Sequence, residues 1–182
     1  MIEQQTYLLV DGENLDATLG MSILKRRPHP EERPRWNRLL QFIEDRWGQS
    51  VRALFFLAVD GEVPFAFVQA LSQMGYQPIL LRGSGKVVDI GIQRTLDALA
   101  DRSDDVVLAS QDVDFLEHMN VLAEKPERRL ALVGFEEFMS QGLRSIPGVE
   151  VWDLEHQVGA FDTPLQRLRV IDVDDFDPLE FL

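Results

Sequence analysis

Apolar residues along this chain fall into two alternating patterns. Short, nearly unbroken apolar runs occur at Thr6–Val10 (TYLLV), Val51–Val59, Gln77–Leu81, Asp105–Ala109, Leu130–Val133 and Val149–Trp152. Between them lie segments whose apolar positions are three or four residues apart. Trp36–Trp47 is apolar at 36, 39, 40, 43 and 47. Val63–Met74 is apolar at 63, 67, 68, 71 and 74, and Val88–Ala100 at 88, 92, 96, 99 and 100. The first pattern predicts buried strands and the second predicts amphipathic helices. Phe115–Ala123 and Glu136–Leu143 predict two further helices, and Thr163–Val170 a short one.

Strands that alternate with helices predict βαβ units, and hence a three-layer α/β sandwich around a mostly parallel sheet. Right-handed crossovers leave few topologies, of which the strand order 3-2-1-4-5 is the natural candidate. Ligands of such sheets bind beyond the carboxyl ends of the strands, where the winding reverses. That point lies between the first and fourth strands.

Both strand ends are acidic. The first runs into Asp11-Gly12-Glu13-Asn14 and the fourth into Ser110-Gln111-Asp112-Val113-Asp114-Phe115. Neighbouring strands lie about 4.8 Å apart, so Asp11 and the Asp112/Asp114 pair are expected to converge. Asp89 follows the third strand, at the start of the next helix, and is a third contributor. Carboxylates packed this closely repel one another, and a hard cation removes the penalty. Mg2+ or Mn2+ suits a few carboxylates plus water. Such a site supports phosphodiester hydrolysis without a histidine or cysteine nucleophile. Asn14, Lys86 in Arg82-Gly83-Ser84-Gly85-Lys86, and Ser110 are placed on the substrate side. Glu13 and Asp16 are candidates for a supporting role. Asp97, eight residues beyond Asp89, lies about 12 Å further along a helix and is too far for the same ion.

Charge and composition narrow the classes. The absence of cysteine excludes disulfides, thiolate metal sites and cysteine nucleophiles. No apolar run reaches about 18 residues, so no membrane span is expected, and the cytoplasm is the default location. The net charge of −13 argues against nucleic acid as a partner, but its distribution is uneven. Eight of the eighteen Lys and Arg residues fall between Lys25 and Arg52, whereas Asp172–Glu180 holds five acids and no base. The basic stretch is either an RNA-contacting arm or a solvated loop. The acidic segment packs on the domain, is disordered, or covers the basic stretch. Residues 1–158 are therefore read as the domain and 159–182 as an acidic extension. A homodimer is compatible with this reading.

The three motifs together, namely a hydrophobic strand into Asp11-Gly12-Glu13-Asn14, Lys86-Val87-Val88-Asp89 opening a helix, and Ser110-Gln111-Asp112-Val113-Asp114-Phe115 after an apolar strand, resemble a NYN domain, a PIN-like ribonuclease. The resemblance covers roughly residues 5–155. It implies that the aspartates at Asp11, Asp89, Asp112 and Asp114 form a metal site, that Asn14 falls on the family's asparagine position, and that RNA is cleaved by metal-activated water. Two departures stand out. Gln111 and Val113 are bulkier than the small residues usual there, which predicts a narrowed groove. Met21–Arg35 reads as a long insertion rich in Arg and Pro.

Each motif alone has a plainer explanation. Asp-Gly is a turn signal, and Asp89 and Asp112 are each suited to cap a helix. Their coincidence at the switch point favours chemistry. Gly83–Lys86 is no P-loop, because Leu80 stands at its first glycine position and Val87 replaces Ser/Thr. A phosphatase lacks its D-x-D nucleophile here, since position 13 is Glu13. A catalytically silent module that binds RNA or a protein is the remaining alternative. Trp36 and Trp47 sit on an apolar helix face and read as core, and His29, His118 and His156 read as ordinary surface or core residues.

Overall fold

Along Thr6–Asp11 (β1), successive side chains point to opposite sides of the sheet. Leu8 and Val10 enter one core, and Leu9 enters the other. The same alternation in Asp105–Ala109 (β4) sends Val107 and Ala109 one way and Val106 and Leu108 the other. Both strands are thus buried on both faces, as parallel strands between helical layers must be. A computed structural model describes residues 3–182. The remaining strands are β2 (Val51–Ala58), β3 (Tyr76–Leu81), β5 (Leu130–Gly134) and β6 (Val149–Asp153). The sheet order is β3-β2-β1-β4-β5-β6, with every neighbouring pair parallel. The expected order holds, and the last predicted strand adds a sixth position beyond β5.

The helices are α1 (Gly12–Ala17), α2 (Trp36–Trp47), α3 (Phe65–Met74), α4 (Val87–Ala100), α5 (Leu116–Leu122) and α6 (Gln141–Arg144). A π-helical segment, Thr18–Leu24, continues α1. Leu15, Leu19 and Ile23 from this first helical stretch join Leu39, Ile43 and Trp47 of α2 and Leu71 of α3 on one face. Val88, Ile92, Leu96 and Leu99 of α4 cover the other face with Met119 and Leu122 of α5. The winding therefore reverses between β1 and β4, where the two layers part.

Two expected helices fail, and the first helical stretch runs further than expected. The helix predicted over Glu136–Leu143 breaks, because Met139 is extended and Ser140 starts α6 by accepting the Leu143 N–H at 3.2 Å. Thr163–Val170 is not helical. Its Leu165 N–H donates to Glu155 Oε2 at 2.7 Å and its Leu168 N–H to Ile23 O at 3.3 Å, so the segment lies as a strap on the domain. The insertion read from Met21 begins inside the first helical stretch, which the four-residue spacing of Leu15, Leu19 and Ile23 encodes.

The basic stretch is largely occupied internally. Arg26 is bidentate to Glu32, Arg33 meets Asp16 at 3.0 Å, and Arg35 and Arg38 share Asp162. Among the described residues no acid of 171–182 forms an ion pair with it, and Glu180 pairs with Arg169. Among the described residues, no helix is long and apolar enough to cross a membrane.

Candidate metal centre

Asp11 is the last residue of β1 and is only 1% exposed. β1 pairs with β4 up to Val10 and Ala109, so Asp11 and Ser110 emerge side by side. The Ser110 hydroxyl donates to Asp11 Oδ2 at 3.0 Å, and the Asn14 N–H donates to Oδ1 at 3.2 Å. Burial pushes the Asp11 pKa up from 3.8 to about 6, against the pull of those two hydrogen bonds and with help from the charges of Asp89 and Asp112. Placing a carboxylate here therefore costs free energy that two hydrogen bonds do not recover.

The turn after β4 is built by side chains. Asn14 Oδ1 accepts the Gln111 N–H at 3.0 Å, tying α1 to the turn. Ser110 Oγ accepts the Asp112 N–H at 3.2 Å, and Asp112 Oδ1 accepts the Asp114 N–H at 3.0 Å. Ser110 is buried with its hydroxyl committed, so it faces the carboxylates rather than open solvent. Gln111 does not narrow the groove. Its side chain turns inward, where Oε1 accepts the Phe135 N–H at 2.9 Å and Nε2 donates to Thr18 Oγ1 at 3.2 Å. Gly134 makes room for it, as a Cβ there would stand 2.8 Å from Gln111 Oε1. The sequence reading missed this brace. Its only signal was a long amide where a small residue was expected.

Asp89 lies in the first turn of α4 and is half-buried. Its pKa is raised, first by burial and then by Asp112. The loop that delivers it turns at Gly85, whose φ of +80° suits glycine. Lys86 Nζ lies 3.2 Å from Asp114 Oδ2 and 3.7 Å from Asp89 Oδ2.

One oxygen from each of Asp11, Asp89 and Asp112 lies within 4.8 Å of the other two. Asp114 stays outside this group and holds Lys86 at its rim. Asp97 is elsewhere, beside His118. A cavity of about 310 Å3 opens over the three carboxylates and is also lined by Glu13, Asn14 and Lys86. Three clustered acids, one of them buried and hard to ionise, fit the donor set of a hard divalent cation, which would remove their repulsion.

Gly12 lets the chain leave β1 closely over β2. A Cβ there would lie 2.7 Å from Phe55 Cε1, and that ring is locked edge-on to Trp36, Phe67 and Tyr76. Gly12→Ala is expected to lower stability by about 1–3 kcal/mol through overpacking. The urea midpoint reads this, and an unchanged midpoint would show that the ring yields.

The fold agrees with the similarities found. No curated protein matches the chain. The crystal structure of a protein of unknown function from Vibrio parahaemolyticus is similar, with a TM-score of 0.65 at 19% identity, over 85% of this chain and 94% of that one. At that identity it bears on the fold alone. The NYN domain model matches residues 5–147, most of the chain and a span that contains all three acidic motifs, and the chain belongs to the NYN domain family of PIN-like ribonucleases.

Proposed function

We propose that this protein is a metal-dependent ribonuclease that hydrolyses RNA phosphodiester bonds, with Asp11, Asp89 and Asp112 holding Mg2+ or Mn2+. The observation that carries the reading is the convergence of three carboxylates from β1, α4 and the β4 turn within 4.8 Å of one another, at the point where the winding reverses. Family membership supports nuclease chemistry and RNA as the substrate class. A divalent ion held there would activate water and offset charge at the phosphoryl group.

The chain's own residues have separable tasks in this reading. Ser110 fixes the orientation of Asp11 through Oδ2. Asn14 Oδ1 clamps the β4 turn, which leaves its amide N–H groups free among the described residues to meet a phosphate oxygen. Lys86, exposed at the rim, offers the substrate a positive point charge. Asp114 acts through Lys86, steadying the ammonium beside the cavity rather than joining the three. Its pairing raises the lysine pKa, so the ammonium is charged throughout the neutral range.

The direct test is incubation of end-labelled single-stranded RNA with Mg2+, with Mn2+ and with EDTA, beside a panel of phosphomonoesters. Cleavage of RNA alone, restored after EDTA by either ion, is the expected result. Equal cleavage in EDTA, or products only from the monoesters, would refute the reading.

A further inference from the structure

A second cavity, of about 520 Å3, lies next to the acidic one on the α1–α2–α3 side, and Glu13 lines both. Its walls are apolar and aromatic, formed by Trp36, Phe55, Phe67 and Met74. Phe67 stays 39% exposed although it packs edge-on to Phe55 at 5.6 Å. At the rim, Asp16 Oδ1 accepts from Arg33 Nε at 3.0 Å. Asp16 Oδ2 and the terminal nitrogens of Arg33 have no partner among the described residues.

We propose that this cavity receives one base of a single-stranded RNA lying across the acidic centre, and that a base with an exocyclic amine fits best. The inference rests on the ribonuclease reading for its substrate class.

Three observations select this occupant. The cavity adjoins the acidic centre at Glu13, which lines both, so a strand whose phosphate sits over the carboxylates has a neighbouring base within its reach. Glu13 and Asp16 repel a phosphate but accept hydrogen bonds from an amine. The free nitrogens of Arg33 donate to ring nitrogens or carbonyls, so the rim offers both kinds of partner to the edge of a neutral ring. The exposed Phe67 ring supplies the apolar face on which bases stack. Uracil offers only one donor on that edge, its N3–H between two carbonyls, and so matches two carboxylates less well than a base with an exocyclic amine.

Fluorescence anisotropy with labelled rA6, rC6 and rU6 tests this in an Asp112→Asn background, where the RNA stays intact. The adenine and cytosine hexamers are expected to bind at least about threefold more tightly than rU6, the value of one hydrogen bond. Phe67→Ala should weaken binding of all three by at least about fivefold, the low end of a base–aromatic stack. Asp16→Ala, a change at an exposed rim, should bring rA6 and rC6 down to rU6. Affinities unmoved by both variants, or no binding of any hexamer, would overturn the proposal. A concentration-dependent dimer lost in Phe67→Ala, with RNA affinity unchanged, would assign the cavity to a second copy and overturn it too. Base-dependent binding without divalent-dependent cleavage by the wild type would remove the ribonuclease reading and leave the cavity. Cleavage with no response to either variant would do the reverse.

Discussion

Asp112→Asn reduces divalent-dependent RNA cleavage at least about a hundredfold, the scale on which one electrostatic partner of a reacting group counts, while the protein stays folded. The reason for choosing this position is local. Asp112 Oδ1 accepts the Asp114 N–H and so starts the turn after β4, and asparagine caps such turns as well as aspartate does. The substitution thus removes one of three charges without removing the hydrogen bond that shapes the backbone. Asp114→Asn is the matched control. Its carboxylate lies outside the group of three and reaches the cavity only through Lys86, so the loss should be smaller and should appear mainly as weaker substrate binding. Initial rates at saturating and limiting RNA separate the two, and far-ultraviolet circular dichroism confirms the fold. Wild-type rates from Asp112→Asn would end the case for a shared ion at this site.

Asp11→Asn makes the metal-free protein more stable at pH 7.5. Burial raises the Asp11 pKa from 3.8 to about 6, so the folded state binds that proton more tightly than the unfolded chain does. A group shifted upward contributes its full stability below its unfolded pKa, and that contribution is lost as pH rises through the folded value. The window here runs from about pH 4 to somewhat above 6. Beyond it the ionised form carries a penalty of about 3 kcal/mol, which asparagine escapes. In a chain of this size that corresponds to a rise of about 6–12 °C in Tm over wild type in EDTA. The difference should vanish near pH 4. Mg2+ or Mn2+ should narrow it at pH 7.5 by stabilising only the wild type. Thermal melts of both proteins from pH 4 to 8, with and without the ion, read all three effects. A gap that does not change with pH would show that the Asp11 charge is not what burial penalises.

Much of this is legible in the sequence. The unbroken apolar runs at Thr6–Val10 and Asp105–Ala109 told of strands buried on both faces, and the order of the first five followed from crossover geometry. That order alone put Asp11 beside the Ser110–Phe115 turn. The carboxylates at Asp11, Asp89 and Asp112 were visible for the same reason, because each stands at the end of a strand or the start of a helix, where periodicity stops. Less legible were elements held by single long-range contacts. The strap of 163–170 depends on Glu155 and the carbonyl of Ile23, and no local pattern records these, whereas the break at Met139 follows from the local Ser140 cap. The inward turn of Gln111 depends on the space left by Gly134.

The alternation of strand and helix, and the acidic character of the strand ends, belong to the sequence by itself, since period and residue type are local quantities. Which carboxylates share one space belongs to the tertiary structure. Asp112 and Asp114 look equivalent in the chain, being two residues apart in one turn. Only the packing of α4 against β1 and β2 brings Asp89 to the first and Lys86 to the second, and so divides one acidic motif into a member of the cluster and an anchor for a cation. The reason is that electrostatic coupling depends on distance and burial, and both are set by folding rather than by position along the chain.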